Sequence, residues 1–129
     1  MPNAKCPESP EWYVYQFEVK GVPFYVGIGR AERASDRLRW VCSQIKRELE
    51  GRPAKWVLHT LVLKAFILSP ETIECRYIRK RVCRTEALRI EKQRIERLLE
   101  SGHILANIQY NPIRPTLQQV VNFVRKKSK

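Results

Sequence analysis

The chain has 129 residues, and 25 Lys and Arg against 13 Asp and Glu give it a formal charge of +12 and a pI near 10. A 43% hydrophobic share is too high for a disordered basic tail, which could not offset its ordering entropy, and the length suits one domain. No window approaches the roughly 20 apolar residues of a membrane span, and the stretch from Trp56 to Leu68 is broken by His59, Thr60 and Lys64.

Residues 1–11 read as a flexible lead-in, with Pro2, Pro7 and Pro10 and no hydrophobic signal core, so a cytosolic location is expected. From Trp12 to Val19 the residues Tyr13, Tyr15, Phe17 and Val19 alternate with Trp12, Val14, Gln16 and Glu18, predicting a strand with one aromatic face. Lys20-Gly21 is a turn signal, and Phe24-Tyr25-Val26 completes a hairpin with Pro23 at a strand start or edge. After Gly29 the period changes to 3.6. Ala34, Leu38, Val41, Cys42, Ile45 and Leu49 define an amphipathic helix that Gly51 and Pro53 end.

Residues 54–67 are apolar and favour helix by length, and Ile73 to Val82 alternates as a third strand bearing Arg76, Arg79, Lys80 and Arg81. Thr85 is a candidate cap for a helix from Glu86 to Leu99 that stops at Ser101-Gly102. Thr116 and Gln119 form a capping-box pattern for a last helix reaching about Arg125. The pattern as a whole predicts an α+β chain with a small three-stranded antiparallel sheet flanked by helices. Cys6, Cys42, Cys75 and Cys83 are scattered without a Cys-x-x-Cys pair, and the expectation is reduced thiols filling small gaps.

Charge is distributed unevenly. Residues 1–29 carry a net −1, residues 30–50 +2, residues 51–84 +6 and residues 85–129 +5. An excess of this kind suits a polyanion, because each Lys or Arg near a phosphate releases condensed counterions. On the helix that begins near Glu86, Glu91 falls inside the apolar arc of Ala87, Leu88, Ile95, Leu98 and Leu99, whereas Glu86, Glu96 and Glu100 project to the polar half. A carboxylate in a buried stripe needs a partner, so Glu91 is either a metal ligand or catalytic group, or one half of an ion pair with an arginine. Arg33 and Arg37 stand one turn apart, a spacing that a phosphate between them would stabilise and that Asp36 or Glu32 could also neutralise.

Tyr13-Val14-Tyr15, then Tyr25-Val26-Gly27, Arg33 on a helix, Thr85-Glu86-Ala87-Leu88-Arg89-Ile90-Glu91 and finally Leu105-Ala106-Asn107 form an ordered set that resembles the GIY-YIG nuclease superfamily. The run Pro23-Phe24-Tyr25-Val26-Gly27-Ile28-Gly29-Arg30 is most similar to the LEM-domain nucleases and small bacterial relatives. The resemblance covers residues 12–108 and leaves 109–129 as a C-terminal helix and basic tail.

What the resemblance implies is a metal-dependent endonuclease acting on DNA, in repair or restriction. Glu91 would hold a single Mg²⁺ or Mn²⁺, Tyr15 would act as or orient the general base, Tyr25 would position water or phosphate, and Arg33 would stabilise the transition state. Gly27 and Asn107 would support the site, with Arg30, Arg37, Arg76, Arg79, Lys80 and Arg81 on the nucleic acid. The sequence departs from the family at Ile28, where Lys is frequent, and at Arg37, where His or Tyr is frequent. A nucleic-acid-binding module without efficient chemistry is therefore the alternative. An unrelated RNA-binding protein would instead leave Arg33 and Glu91 far apart. His59 and His103 are read as a helix-face and a turn residue rather than ligands, and Trp12, Trp40 and Trp56 as packing residues.

Overall fold

A computed structural model describes residues 9–69 and 71–128; most of the N-terminal lead-in, Cys6 included, lies outside them. The order of elements is β1 (Trp12–Val19), β2 (Val22–Arg30), α1 (Arg33–Leu49), α2 (Leu58–Leu68), β3 (Ile73–Val82), α3 (Arg84–Glu100) and α4 (Leu117–Lys127). The strands form one antiparallel sheet in the order β2-β1-β3. The hairpin closes through Lys20 and Gly21, both at positive φ (49° and 79°), the conformation a two-residue turn needs to match strand twist. Pro23 sits in the edge strand β2 beside a bulge, where its missing N–H breaks no central ladder.

Alternation along β1 divides the interior in two. Tyr13, Tyr15, Phe17 and Val19 enter the larger core, against Val41, Leu63, Phe66, Val120 and Val124. Val14 faces the other way and packs with Val26, Ala87, Ile95, Leu98 and Leu105. The sheet is therefore a central layer, with α1, α2 and α4 on the aromatic side and α3 on the other.

Helix α4 buries Val120, Val121 and Val124 in the main core, and Thr116 caps it as its sequence pattern predicts, accepting from Gln119 N at 3.1 Å. Helix α4 thus contributes to the same core as the sheet. Helix α3 starts earlier than expected: Cys83 is its N-cap and Thr85 lies inside the first turn. The apolar 54–67 segment is helical only from Leu58, where the Thr60 hydroxyl accepts from Val57 N. The expectation of reduced thiols is corrected at Cys83, which is disulfide-bonded, while Cys42 and Cys75 are free.

The two sheet edges differ. The outer edge of β2 is covered by the chain after α3, through a bond from Ala106 N to Phe24 O at 2.7 Å and the side chain of Asn107. Among the described residues, strand β3 has no partner strand on its outer side, and it exposes Arg76, Arg79, Lys80 and Arg81. Like charges along an open edge discourage pairing with another strand. Among the described residues, no helix is long and apolar enough to cross a membrane.

Candidate active site

Three closely spaced tyrosines stand on the aromatic side of β1 and β2. Tyr13 and Tyr15 meet edge to face with centroids 5.9 Å apart, and Tyr15 and Tyr25 lie 6.4 Å apart. Gly27 faces Tyr15 across the hairpin, and a Cβ there would come within 2.9 Å of the Tyr15 hydroxyl oxygen and 3.0 Å of the Tyr25 ring. Glycine is required for that approach, because both neighbours are held by the core. Gly29 allows a similar approach two residues along β2, where a Cβ would meet the Cβ of Arg33 at 3.1 Å.

Tyr13 is structural. Its hydroxyl donates to Ala31 O at 3.0 Å and accepts from Ala34 N at 3.1 Å, satisfying one of the free amides at the start of α1. That clamp fixes the first turn of α1 over the sheet and with it Arg33 and Arg37. A cleft of about 410 Å³ opens beside them, lined by Arg30, Ala31, Glu32, Arg33, Asp36, Arg37 and Trp40. Asp36 is paired with Arg39, and no ion pair among the described residues reaches Arg33 or Arg37.

Tyr15 and Tyr25 differ in access. Tyr15 is buried, and its phenol is pushed well above the ordinary 10, first by burial and then by Tyr25, with Arg37 pulling the other way. Tyr25 is partly exposed and is also raised. Burial is the main cause, Arg37 and Arg33 pull it down, and the Glu91 charge pushes it up. Arg33, Arg37 and Glu91, from two different helices, therefore all act on one hydroxyl.

Glu91 itself is 8% exposed, and burial raises its carboxyl from 4.5 to about 7. Its place in the sequence allows two explanations, an ion pair or a ligand role. The ion pairs among the described residues involve Glu18, Glu48, Glu50, Glu71, Glu86 and Asp36, and none reaches Glu91. An isolated buried carboxylate is a costly feature that a bound cation would relieve. Among the described residues no group of three or more His, Cys, Asp or Glu side chains could hold a metal, so Glu91 would be a lone protein carboxylate there.

Asn107 is buried and grips one residue of β2: Val26 N donates to its Oδ1 at 3.0 Å, and its Nδ2 donates to Val26 O at 2.7 Å. Val26 lies between Tyr25 and Gly27, so the brace acts on both. Ile28 packs in the α3-side core, on the sheet face opposite the Tyr15 ring.

His59, which the sequence marks only as a helix-face residue, belongs to this site. Near the start of α2 its ring stacks on Tyr25 at 4.3 Å and 14°, and its Nε2 is buried with no hydrogen-bond partner. Burial and the neighbouring Arg37 lower its pKa from 6.5 to about 4, so the imidazole is neutral. Nothing local in the sequence signals this contact, which depends on how α2 packs. Arg76, Arg79, Lys80 and Arg81 lie on β3, outside the Arg33–Arg37 cleft.

No family model, curated protein or solved structure matches this chain.

Proposed function

We propose that the chain is a GIY-YIG-type, metal-dependent endonuclease that hydrolyses DNA phosphodiesters and works in the cytosol. The observations that carry this reading are the Arg33–Arg37 cleft at the Tyr13-anchored start of α1, the partly exposed Tyr25 on β2 and the buried Glu91 of α3, which no ion pair among the described residues reaches. Phosphodiester hydrolysis needs positive charge for the phosphate, a site for a cation and a polar group on the attacking water, and these side chains supply one of each.

In this reading Arg33 and Arg37 hold the phosphate oxygens from the first turns of α1, in a cleft that Tyr13 anchors to the sheet. Glu91 would hold Mg²⁺ or Mn²⁺. The cation would supply charge to offset that developing on the phosphate and would cancel the carboxylate's upward push on Tyr25. Tyr25, the more accessible phenol, positions the water or the phosphate oxygen. Tyr15, packed beside it, orients it and does not itself act as the base, because burial keeps the Tyr15 phenol protonated.

The deciding experiment incubates supercoiled, branched and single-stranded DNA with the protein and Mg²⁺ or Mn²⁺, alongside Glu91→Ala and Arg33→Ala. Cleavage by the intact chain that falls at least about 100-fold in either variant is the expected result. Binding without cleavage of any substrate would leave the non-catalytic nucleic-acid module.

A further inference from the structure

The Arg33–Arg37 cleft shares one wall with a second hollow. Ala31 lines both, and the second hollow, of about 290 Å³, continues over Trp12, Tyr13, Tyr77, Lys80 and Arg81, with Glu11 at its N-terminal rim. Tyr77 is 40% exposed although it stands in the sheet. Its ring is held edge-on by Tyr13 at 5.0 Å and 81°, and the Lys80 ammonium lies 4.5 Å from its centroid. At the same end of β1, where Trp12 packs against the α3-side cluster, the guanidinium groups of Arg30 and Arg84 lie 5.5 and 5.7 Å from the Trp12 ring.

The backbone here is strained in a specific way. Tyr13 pairs with Lys80 and Trp12 with Val82, so Arg81 is the extra residue of a bulge, at φ 61°. Ala31, at φ 54°, is also left-handed, a conformation that costs a non-glycine residue about 1 kcal/mol. Both strained residues line this hollow, and bulges that re-aim side chains are common beside functional sites.

Three occupants could cover a rigid exposed ring among cations. A second copy of this chain would bring the same Arg76, Arg79, Lys80 and Arg81 against the edge and be repelled. A fully paired duplex keeps its base faces stacked on one another, so it could use the cations but not the ring. An unpaired strand uses both, with bases stacking on aromatic faces and phosphates meeting Lys and Arg.

We propose that this hollow is a single-stranded DNA subsite, in which an unpaired base takes the place of the Lys80 ammonium over the Tyr77 ring and its flanking phosphates meet the displaced Lys80 and Arg81, continuing the strand held at Arg33 and Arg37. The inference rests on the nuclease reading in taking the polyanion to be DNA and in placing its strand at Arg33 and Arg37.

The test is fluorescence anisotropy with the full chain in EDTA, so that hydrolysis does not interfere, comparing a blunt duplex, the same duplex with a single-stranded tail, and one whose tail is abasic. The intact tail should improve affinity about tenfold over the abasic one, the size expected of a stacked base. Tyr77→Ala should remove that advantage while changing blunt-duplex affinity less than about twofold, and Tyr77→Phe should keep it. Lys80→Ala should weaken binding to every tail and lower the salt slope by about one. An abasic tail bound as tightly as the intact one would overturn the proposal, as would Tyr77→Ala weakening blunt and tailed DNA equally, or a dimer in sedimentation that Tyr77→Ala dissolves. If tail selectivity persists but no DNA is ever cleaved, the nuclease reading fails and the subsite stands; cleavage indifferent to Tyr77 gives the reverse.

Discussion

Asn107 holds Val26 by both of its backbone polar groups, with bonds of 3.0 and 2.7 Å that tie the chain after α3 to the strand carrying Tyr25 and Gly27. The amide is the shortest side chain that both accepts and donates in this geometry, and it occupies an edge position where another strand would otherwise pair. Asn107→Ala strands a buried N–H and a buried C=O at once. It is expected to cost about 2–4 kcal/mol in chemical denaturation. Asn107→Asp keeps the acceptor but turns an oxygen toward Val26 O, and should be at least as destabilising above pH 6. Equal stability of the wild type and Asn107→Asp would show that the brace is unimportant.

Glu91 gives a prediction in which activity is not the readout. Its folded carboxyl keeps a proton up to about pH 7, whereas an unfolded glutamate releases one near 4.5, so the folded state holds more protons between these values. The contribution of Glu91 to the stability of the metal-free protein, read as the difference between wild type and Glu91→Gln, should therefore fall as pH rises from 4.5 to 7, by at most about 3 kcal/mol. Glu91→Gln removes that loss and should melt several degrees above the wild type at pH 8. Millimolar Mg²⁺ or Mn²⁺ should raise the wild-type melting temperature and leave Glu91→Gln unmoved, because a ligand of the native state stabilises by mass action. Equal shifts in both proteins would remove Glu91 as the metal ligand.

Much of this architecture is legible from local pattern. Alternation along Trp12–Val19 and Ile73–Val82 marks two strands, and the 3.6 period through Ala34–Leu49 marks α1, because burial on one face imposes each period. Glu91 stands out for the same reason, as a charge on the wrong side of a helix. Long-range contacts are not legible. The stack of His59 on Tyr25 joins residues 34 positions apart, and nothing near His59 encodes the angle at which α2 crosses the sheet. The Tyr13 clamp on Ala31 and Ala34 is hidden because an alternating aromatic reads only as core. The α3 start is displaced from Thr85, since a good capping residue just inside the helix mimics a cap. The bulge at Arg81 leaves the strand's period intelligible but conceals which basic side chains adjoin Tyr77.

Gly27→Ala tests the tyrosine pair. The new methyl would sit 2.9 Å from the Tyr15 hydroxyl oxygen and ring, too close for any contact without movement, and Tyr15 is wedged between Phe17 and Tyr13. Overpacking of this kind costs about 1–3 kcal/mol. Either tyrosine would have to shift, so the cleavage proposed above should fall far more than stability does. Gly21→Ala is the control, since its Cβ meets nothing within 4 Å and only the turn's φ of 79° is strained. Gly27→Ala with full activity would mean that the spacing of Tyr15 and Tyr25 does not matter to the chemistry.

His59 predicts an acid-side loss of stability. Burial and Arg37 lower its folded pKa to about 4, while the unfolded imidazole titrates near 6.5. A group depressed in the folded state contributes stability above its unfolded pKa and loses it as pH falls from 6.5 to 4. The groups that face this ring are Arg37 from α1 and Tyr25 from β2, and neither offers the imidazolium a negative charge at these pH values. The loss should reach about 2 kcal/mol after allowing for partial exposure. His59→Phe preserves a ring against Tyr25, leaves no buried nitrogen unpaired and cannot take up a proton. The stability difference between the wild type and His59→Phe should thus move against the wild type as pH falls from 7 to 4.5, the Glu91 contribution being common to both proteins and cancelling in the difference. Parallel pH profiles in the two proteins would mean that the Nε2 lone pair finds a partner in solution and that His59 is not held neutral by its surroundings.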